Sequence, residues 1–292
     1  MAAITVGVPV FNEAARLESC LTVLRDQTFT DFEVLIFDNA SEDATGEVAQ
    51  TFCATDPRFR YVRQPVNKGA MKNFADVLHA ATSPYFLWRA ADDRSDANYL
   101  EVLHDLLEAD ASKTLAVPRV LGSYRGEVLS TTRFPTLRGD GGLGDIRRQM
   151  FRCSPQCFYG LFRRAALVPI LDRIWASYGD NGWASDFLLL LPFFMDGAVV
   201  GTDATTFEAA LRPRRADPGQ PRPPRTEADL DSLVALRRRF LDIAQTFVDE
   251  RVPPGPGRMA WAVLLWLYAD RRVYKTRHIV RRTARRLIGL RP

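Results

Sequence analysis

Cysteine is scarce in this 292-residue chain: Cys20, Cys53, Cys153 and Cys157 are the only four, and their spacing matches no disulfide framework. Only the last two are close, in CSPQC. That separation is wrong for a zinc knuckle and no histidine lies near, so reduced, partly buried thiols are expected in place of a metal site. Long apolar runs are missing too. MAWAVLLWLYA at Met259 to Ala269 has eleven apolar residues, well short of the ~20 that cross a bilayer. Met1 leads straight into a strand-like run with no basic n-region, no long apolar h-region and no small-residue cleavage site, so a cytoplasmic protein is expected, peripheral on the inner face of a membrane if it meets one. No G-x-G-x-x-G follows the first strand, which disfavours a dinucleotide dehydrogenase. No Gly-rich, Arg- and Lys-bearing loop stands there either, as a nucleotidyltransferase would favour. No internal repeat is found.

A strong excess of one sign of charge is absent from most of the chain. The formal net charge is +4, but residues 271 to 291 hold nine Lys and Arg with no acid after Asp270, which leaves −5 on the first 270 residues. A mildly acidic body with a basic tail argues against general nucleic-acid binding and for a local anionic partner. A composition of 47% hydrophobic and 25% charged residues is that of a globular protein able to bury a full core.

What is present is a repeating pattern. Ile4 to Val10 is a short β-branched apolar run, and Leu17, Cys20, Leu21 and Leu24 follow at helical spacing. Strand and helix then alternate: Phe32 to Phe37 and Ala44 to Phe52, Arg60 to Arg63 and Ala70 to Ala81, Tyr85 to Arg89 and Asn98 to Ala109. Such alternation predicts a parallel sheet with right-handed crossovers. Further strands are expected at Leu115 to Leu121, Val128 to Thr131 and Phe207 to Leu211, with helices at Ala165 to Trp175 and Ser185 to Met195. RGDGGLG at Arg138 to Gly144 reads as a loop, and RPRRADPGQPRPPR at Arg212 to Arg225 as a linker or lid. Thr226 opens a capping-box-like TEAD before an amphipathic helix, PPGPG ends that helix, and a last helical region runs from Met259 towards Leu290.

In an open parallel sheet, ligands bind beyond the carboxyl ends of the strands, and the polar signals sit there. Asn12 and Glu13 follow the first strand in PVFNE. Asp38 and Asn39 follow the second in DNASED. Asn67, Lys68, Gly69 and Asn73 follow the third, and Asp92 and Asp93 follow the fourth in RAADD.

In order, spacing and strand context, Pro9, Phe11, Asn12 and Glu13, and the stretch from Gln27 through Thr45, resemble the family 2 glycosyltransferases. The resemblance covers about a third of the chain. It implies an α/β, GT-A-like fold: a Rossmann-type, mostly parallel sheet flanked by helices, with a C-terminal helical extension. Residues 1–211 would form the catalytic domain, with the donor half at about 1–120 and the acceptor half at about 121–211. Residues 212–225 would be the linker or lid, and 226–292 the extension. Asp38 would read the nucleobase, Glu13 would lie near base and ribose, and the Lys68 and Gly69 loop would close over the nucleotide. Pro9, Phe11, Asn39, Asn73 and Ala91 complete the expected donor contacts.

The family's Leu-Asp-x-Asp-Asp is here Arg89, Ala90, Ala91, Asp92, Asp93. The first acid, which commonly faces the ribose, is replaced by Ala90, while Asp92 aligns with the carboxylate that binds the ion. Mn2+ or Mg2+ at Asp92 and Asp93 is therefore expected, with a diphosphate supplying further ligands; helix capping ahead of Asn98 is the plainer role for these acids. In GDNGWASDFLLLLPFF, Asp186 matches the family's base, with Asp180 the fallback and a simple helix N-terminal charge the alternative. Trp183 either stacks on an acceptor sugar or packs. Arg212, Arg214 and Arg215 either grip the diphosphate or belong to a solvated linker.

The expected activity is inverting, metal-dependent transfer from a nucleoside diphosphate sugar, UDP-linked by preference, to a glycan, lipid-linked or small hydroxyl acceptor, as in surface polysaccharide or glycoconjugate synthesis. The rival of another class is an inactive nucleotide-binding or scaffold protein, kept open by Ala90. The tail, tryptophans at one end and arginines beyond, reads either as lying on an anionic membrane surface or as a helix docked on the body.

Overall fold

The structure is a computed structural model and describes residues 2–135, 142–178, 182–211 and 227–287. Most of the Gly-rich stretch (136–141), Asp180, the segment 212–226 with Arg212, Arg214, Arg215 and the TEAD threonine, and the last five residues lie outside the described residues.

The N-terminal half follows the expected alternation: β1 (Ile4–Val10), α1 (Ala14–Arg25), β2 (Phe32–Asp38), α2 (Thr45–Thr55), β3 (Phe59–Arg63), α3 (Ala70–Ala80), β4 (Tyr85–Trp88), a two-residue β5 (Arg94–Ser95) and α4 (Tyr99–Ala109). There follow β6 (Leu115–Tyr124), β7 (Glu127–Thr132), α5 (Leu143–Arg152), a 3-10 turn at Pro155–Tyr159, β8 (Leu161–Arg163), α6 (Arg164–Tyr178), α7 (Ser185–Met195), β9 (Val199–Ala210), α8 (Glu227–Arg251), α9 (Pro256–Arg272) and α10 (Thr276–Leu287). The strands form one mixed sheet in the order β3-β2-β1-β4-β8-β6-β9-β5, with β7 paired to β6.

β1 to β4 are parallel, as the alternation predicts. Beyond them, β8 runs antiparallel to both β4 and β6, and β9 is parallel to β6. The late strand is longer than its sequence signal, because only Val199, Phe207 and Ala209 are buried apolar residues there while its first half is held by pairing to β6. Pro118 has no N–H to give the ladder, and the β6/β9 register shifts between Val117 and Arg119.

Every residue of β1 is buried, as expected of a strand covered on both faces. Leu17, Cys20, Leu21 and Leu24 of α1 join Tyr99, Leu100, Leu103 and Leu107 of α4 in its core. Gly7 is required by this packing: a Cβ there would stand 2.7 Å from Phe86 Cζ. Phe158 of the 3-10 turn stacks on Trp88 at 4.5 Å between ring centroids.

The chain divides into two compact units, residues 1–172 with 193–216, and residues 173–192 with 217–292. The first holds the sheet. In the second, Phe187 and Phe240 meet Tyr268 at 5.9 and 6.2 Å, Arg272 lies 4.2 Å from the centroid of Phe187, and Arg173 pairs with Glu250. The expected final helical region is two helices: α9 closes at Val273, and the Asp270 carboxylate accepts the backbone N–H of Thr276 at the start of α10.

Candidate active site

β1, β2 and β4 end side by side. Val10 is paired with Asp38 and Gly7 with Trp88, so the loops after these strands open on one edge of the sheet. After β1 the chain turns at Asn12, whose φ of 54° is one asparagine tolerates. Its side-chain oxygen accepts from Glu42 N–H at 2.8 Å, and its own N–H donates to Ser41 Oγ at 2.9 Å. Glu13 and Ala14 N–H donate to Thr45 Oγ1 and Asp43 Oδ2. The second loop thus supplies acceptors for the otherwise unpaired amides at the start of α1. The Thr45 hydroxyl, also bonded to Asp43, holds that carboxyl below the usual carboxylate range.

Asp38, the expected base reader, is engaged within the protein. It is 0% exposed. Oδ1 accepts from Ser41 N–H and Ser41 Oγ at 2.8 and 2.5 Å, and Oδ2 accepts from Tyr61 Oη at 2.6 Å and Arg63 Nη1 at 3.0 Å. A carboxylate with both oxygens doubly engaged has its acceptor sites filled within the protein, and here it braces the β2–β3 edge. Burial and the Asp38 bond raise the Tyr61 phenol.

Asn39 is likewise consumed internally, whereas Asn73 keeps a buried Oδ1 with no hydrogen-bond partner among the described residues. Asn39 accepts from Lys68 N–H and donates to Asn67 Oδ1, which also accepts Gly69 N–H, each at 2.8 Å. Asn73 is buried and donates to Phe37 O. Gly69 turns the loop with φ 84°, and Lys68 Nζ pairs with Asp76 at 2.8 Å. Pro9 is buried within β1. Glu13 accepts from Arg16 at 2.8 Å on the surface. Phe11, 42% exposed, presents an aromatic ring at the rim.

One open space of the first unit lies beside Asp92 and Asp93. It is a cleft of about 530 Å³ walled by α1 (Arg16, Ser19, Cys20), by Ala91 to Arg94, by the Tyr124–Arg125–Gly126 turn and by Glu208 to Leu211. Asp93 is buried and accepts Ala210 N–H at 3.1 Å. Burial pushes its carboxyl up to about 7; the Asp92 charge adds to this, and the Ala210 N–H and Arg89 oppose it. Cys20 donates to Ala90 O at 3.5 Å, and burial lifts its thiol to about 12, so it is no nucleophile at neutral pH.

Sequence reasoning missed Arg89. This buried guanidinium lies 4.9 Å from the Tyr99 ring and 5.1 Å from that of Phe207, and bonds Ser95 Oγ at 3.0 Å. Its Nε and Nη1 lack hydrogen-bond partners among the described residues, while its charge, set behind the acid pair, favours the ionised form of Asp93. An arginine at the end of an apolar strand, directly before the acid motif, was the available signal. The YRGE turn between two strands was the signal for the cleft's far wall.

Two adjacent carboxylates facing an open cleft fit a hard divalent ion. Among the described residues no three His, Cys, Asp or Glu converge, so the fit is to an ion that shares its ligands with a bound diphosphate. Asp186 lies in the second unit, in the first turn of α7, where burial pushes its carboxyl up to about 6 against the opposing pull of local N–H groups and Arg272. Trp183, half-exposed in the same unit, donates its indole N–H to Val273 O at 3.2 Å.

Residues 5–167 match the profile of glycosyl transferase family 2. The chain belongs to this family. Among curated family relatives, it is 32% identical to the glycosyltransferase GlyA of Streptococcus pneumoniae over 101 residues, 35% of this chain and 14% of that one. It is 29% identical to GlyG of the same organism over 122 residues, 41% and 38% of the two chains. It is 27% identical to a PGL/p-HBAD biosynthesis glycosyltransferase of Mycobacterium tuberculosis over 187 residues, 60% and 66%. The match thus spans well under half of the first two relatives.

Among solved structures, residues 1–349 of Staphylococcus aureus TarS in complex with UDP superpose with a TM-score of 0.62 at 15% identity, covering 93% of this chain and 71% of that one. The Pyrobaculum calidifontis mannosyltransferase PcManGT with GDP-Man and Mn2+ gives 0.52 at 16%, covering 92% and 86%. At such identities the likeness is one of fold, and the fold of this family 2 chain is GT-A.

Proposed function

We propose that this chain transfers a glycosyl group, with inversion, from a nucleoside diphosphate sugar to a hydroxyl of a glycan, lipid-linked or small acceptor in polysaccharide or glycoconjugate synthesis. The observation that carries the reading is the cleft at the end of β4, where Asp92 and Asp93 stand among Arg16, Arg94 and Arg125. Acids that hold an ion and arginines that favour an anion suit a diphosphate joined to a divalent cation. Asp92 and Asp93 would hold Mn2+ or Mg2+, which would supply charge neutralisation for the departing diphosphate. UDP is the preferred nucleotide, supported by the TarS complexes with UDP and UDP-GlcNAc.

The residues then divide by role. Asp92, with Asp93 beside it, holds the ion. Phe11, exposed at the rim, and the half-buried Glu13 face the base and ribose, and Lys68 and Gly69 form the edge over the nucleotide. Asp38, Asn39 and Asn73 hold those loops in shape. Asp186 takes the acceptor hydroxyl's proton, a role drawn from the family pattern; its carboxyl at about 6 leaves a stronger base than an ordinary aspartate while still ionised at neutral pH. In this reading the donor half is about residues 1–120 and the acceptor half about 121–211.

A second reading, nucleotide binding without transfer, is favoured by Ala90, since the family's ribose-facing acid is absent. A panel of nucleotide sugars incubated with the full chain and Mn2+ separates the two. Slow hydrolysis of one donor, lost in Asp92→Ala, supports the enzyme; nucleotide binding with no hydrolysis of any donor and no transfer to added acceptors supports the second reading.

A further inference from the structure

Helix α9 has two apolar faces. Trp261, Leu264, Leu265, Tyr268 and Ala269 are buried, and Tyr268 meets Phe240 of α8. At 100° per residue the opposite side of the helix carries Met259, Val263, Trp266 and Leu267, all exposed; Val263 is 60% and Trp266 45% accessible. A helix with one face packed on its own unit has no need of a second apolar stripe, and such a stripe marks an interaction surface. No described helix is long and apolar enough to cross a membrane, so the stripe does not belong to a membrane span.

The charge next to the stripe says what covers it. Arg271, Lys275 and Arg277 follow directly and are exposed. The chain from Arg271 onward has nine Lys and Arg and no acid. Asp270, the one acid at this end, is engaged with Thr276 N–H. At the other end of α9, Arg258 pairs with Asp249 at 3.1 Å. Exposed apolar side chains beside a basic cluster, with a tryptophan among them, fit the interface of an anionic bilayer, where side chains enter the acyl boundary and cations meet the headgroups.

We propose that α9 and the start of α10 dock this protein peripherally on an anionic membrane, with α9 lying in the plane and Met259, Val263, Trp266 and Leu267 inserted. This inference concerns where the protein sits and is independent of which sugar it transfers. The test is co-sedimentation of the full chain with vesicles of pure phosphatidylcholine and of phosphatidylcholine with phosphatidylglycerol, at low and high salt. Binding should rise at least about tenfold with the anionic lipid and weaken with salt, and brominated lipid should quench Trp fluorescence. V263E with L267E should abolish sedimentation while circular dichroism, thermal midpoint and nucleotide binding stay at wild-type values, because both positions are exposed. K275E with R277E should remove the preference for anionic lipid. Equal sedimentation with both vesicle types, or retention of binding by V263E/L267E, overturns the proposal. So does a concentration-dependent dimer in light scattering that V263E/L267E dissolves and vesicles do not compete for, since the stripe would then be covered by a second copy.

Discussion

Asp38 and Arg63 face each other at the carboxyl ends of β2 and β3 and are joined by an ion pair of 3.0 Å, the carboxylate buried and the guanidinium half-exposed. The pair makes Asp38 a brace for the rim on which the donor would rest. Removing the carboxylate strands Tyr61 and the Ser41 hydroxyl and N–H. Asp38→Ala should therefore lower stability by about 2 to 4 kcal/mol, read by urea unfolding. Arg63→Ala, at the exposed end, should lower stability clearly less than Asp38→Ala does. A weakened nucleotide affinity in Asp38→Asn with unchanged unfolding would return Asp38 to the role of base reader.

At Gly7 the prediction concerns packing alone. The added methyl of Gly7→Ala would stand 2.7 Å from the Phe86 ring and 3.0 Å from Val77, and overpacking of this kind costs about 1 to 3 kcal/mol. A fall in thermal midpoint with unchanged donor hydrolysis per folded molecule is the expected outcome.

These two residues mark what was legible in the sequence. The first four strands and their helices could be read because β1, β2 and β4 are apolar runs and each helix repeats its apolar residues at helical spacing. The loop order then placed Asp92 and Asp93 at the right edge. β5 and β8, two and three residues long, carry no such signal because neighbouring strands hold them in place. Whether an aspartate is free or spent depends on partners 3 to 25 residues away, and nothing in DNASED foretold that Tyr61 and Arg63 would reach Asp38. The same applies to Arg89, whose burial depends on Phe207, distant in sequence.

Asp186 gives a pH prediction. Burial raises its carboxyl to about 6, so a base at this position is protonated and idle below that pH. Transfer under kcat/KM conditions should fall tenfold per unit as pH drops below about 6, and Asp186→Asn should lose turnover while keeping nucleotide affinity. The stability effect has the opposite sense. A carboxyl whose folded value lies above its unfolded one stabilises the fold at low pH, and that contribution is lost as pH rises through about 6. Asp186→Asn should then make the fold less dependent on pH between about 4 and 6, as followed by chemical unfolding. An acidic limb unmoved in Asp186→Asn would assign the base to another residue.

The pairing of Asp92 with a metal-bound diphosphate is the centre of the account, and isothermal titration of UDP into the full chain, with and without Mn2+, tests it most directly. The account predicts saturable binding that needs the ion and weakens at least about a hundredfold in Asp92→Ala, the size expected when several kcal/mol of charge stabilisation is lost. Binding of equal strength without Mn2+, or in Asp92→Ala, would contradict it.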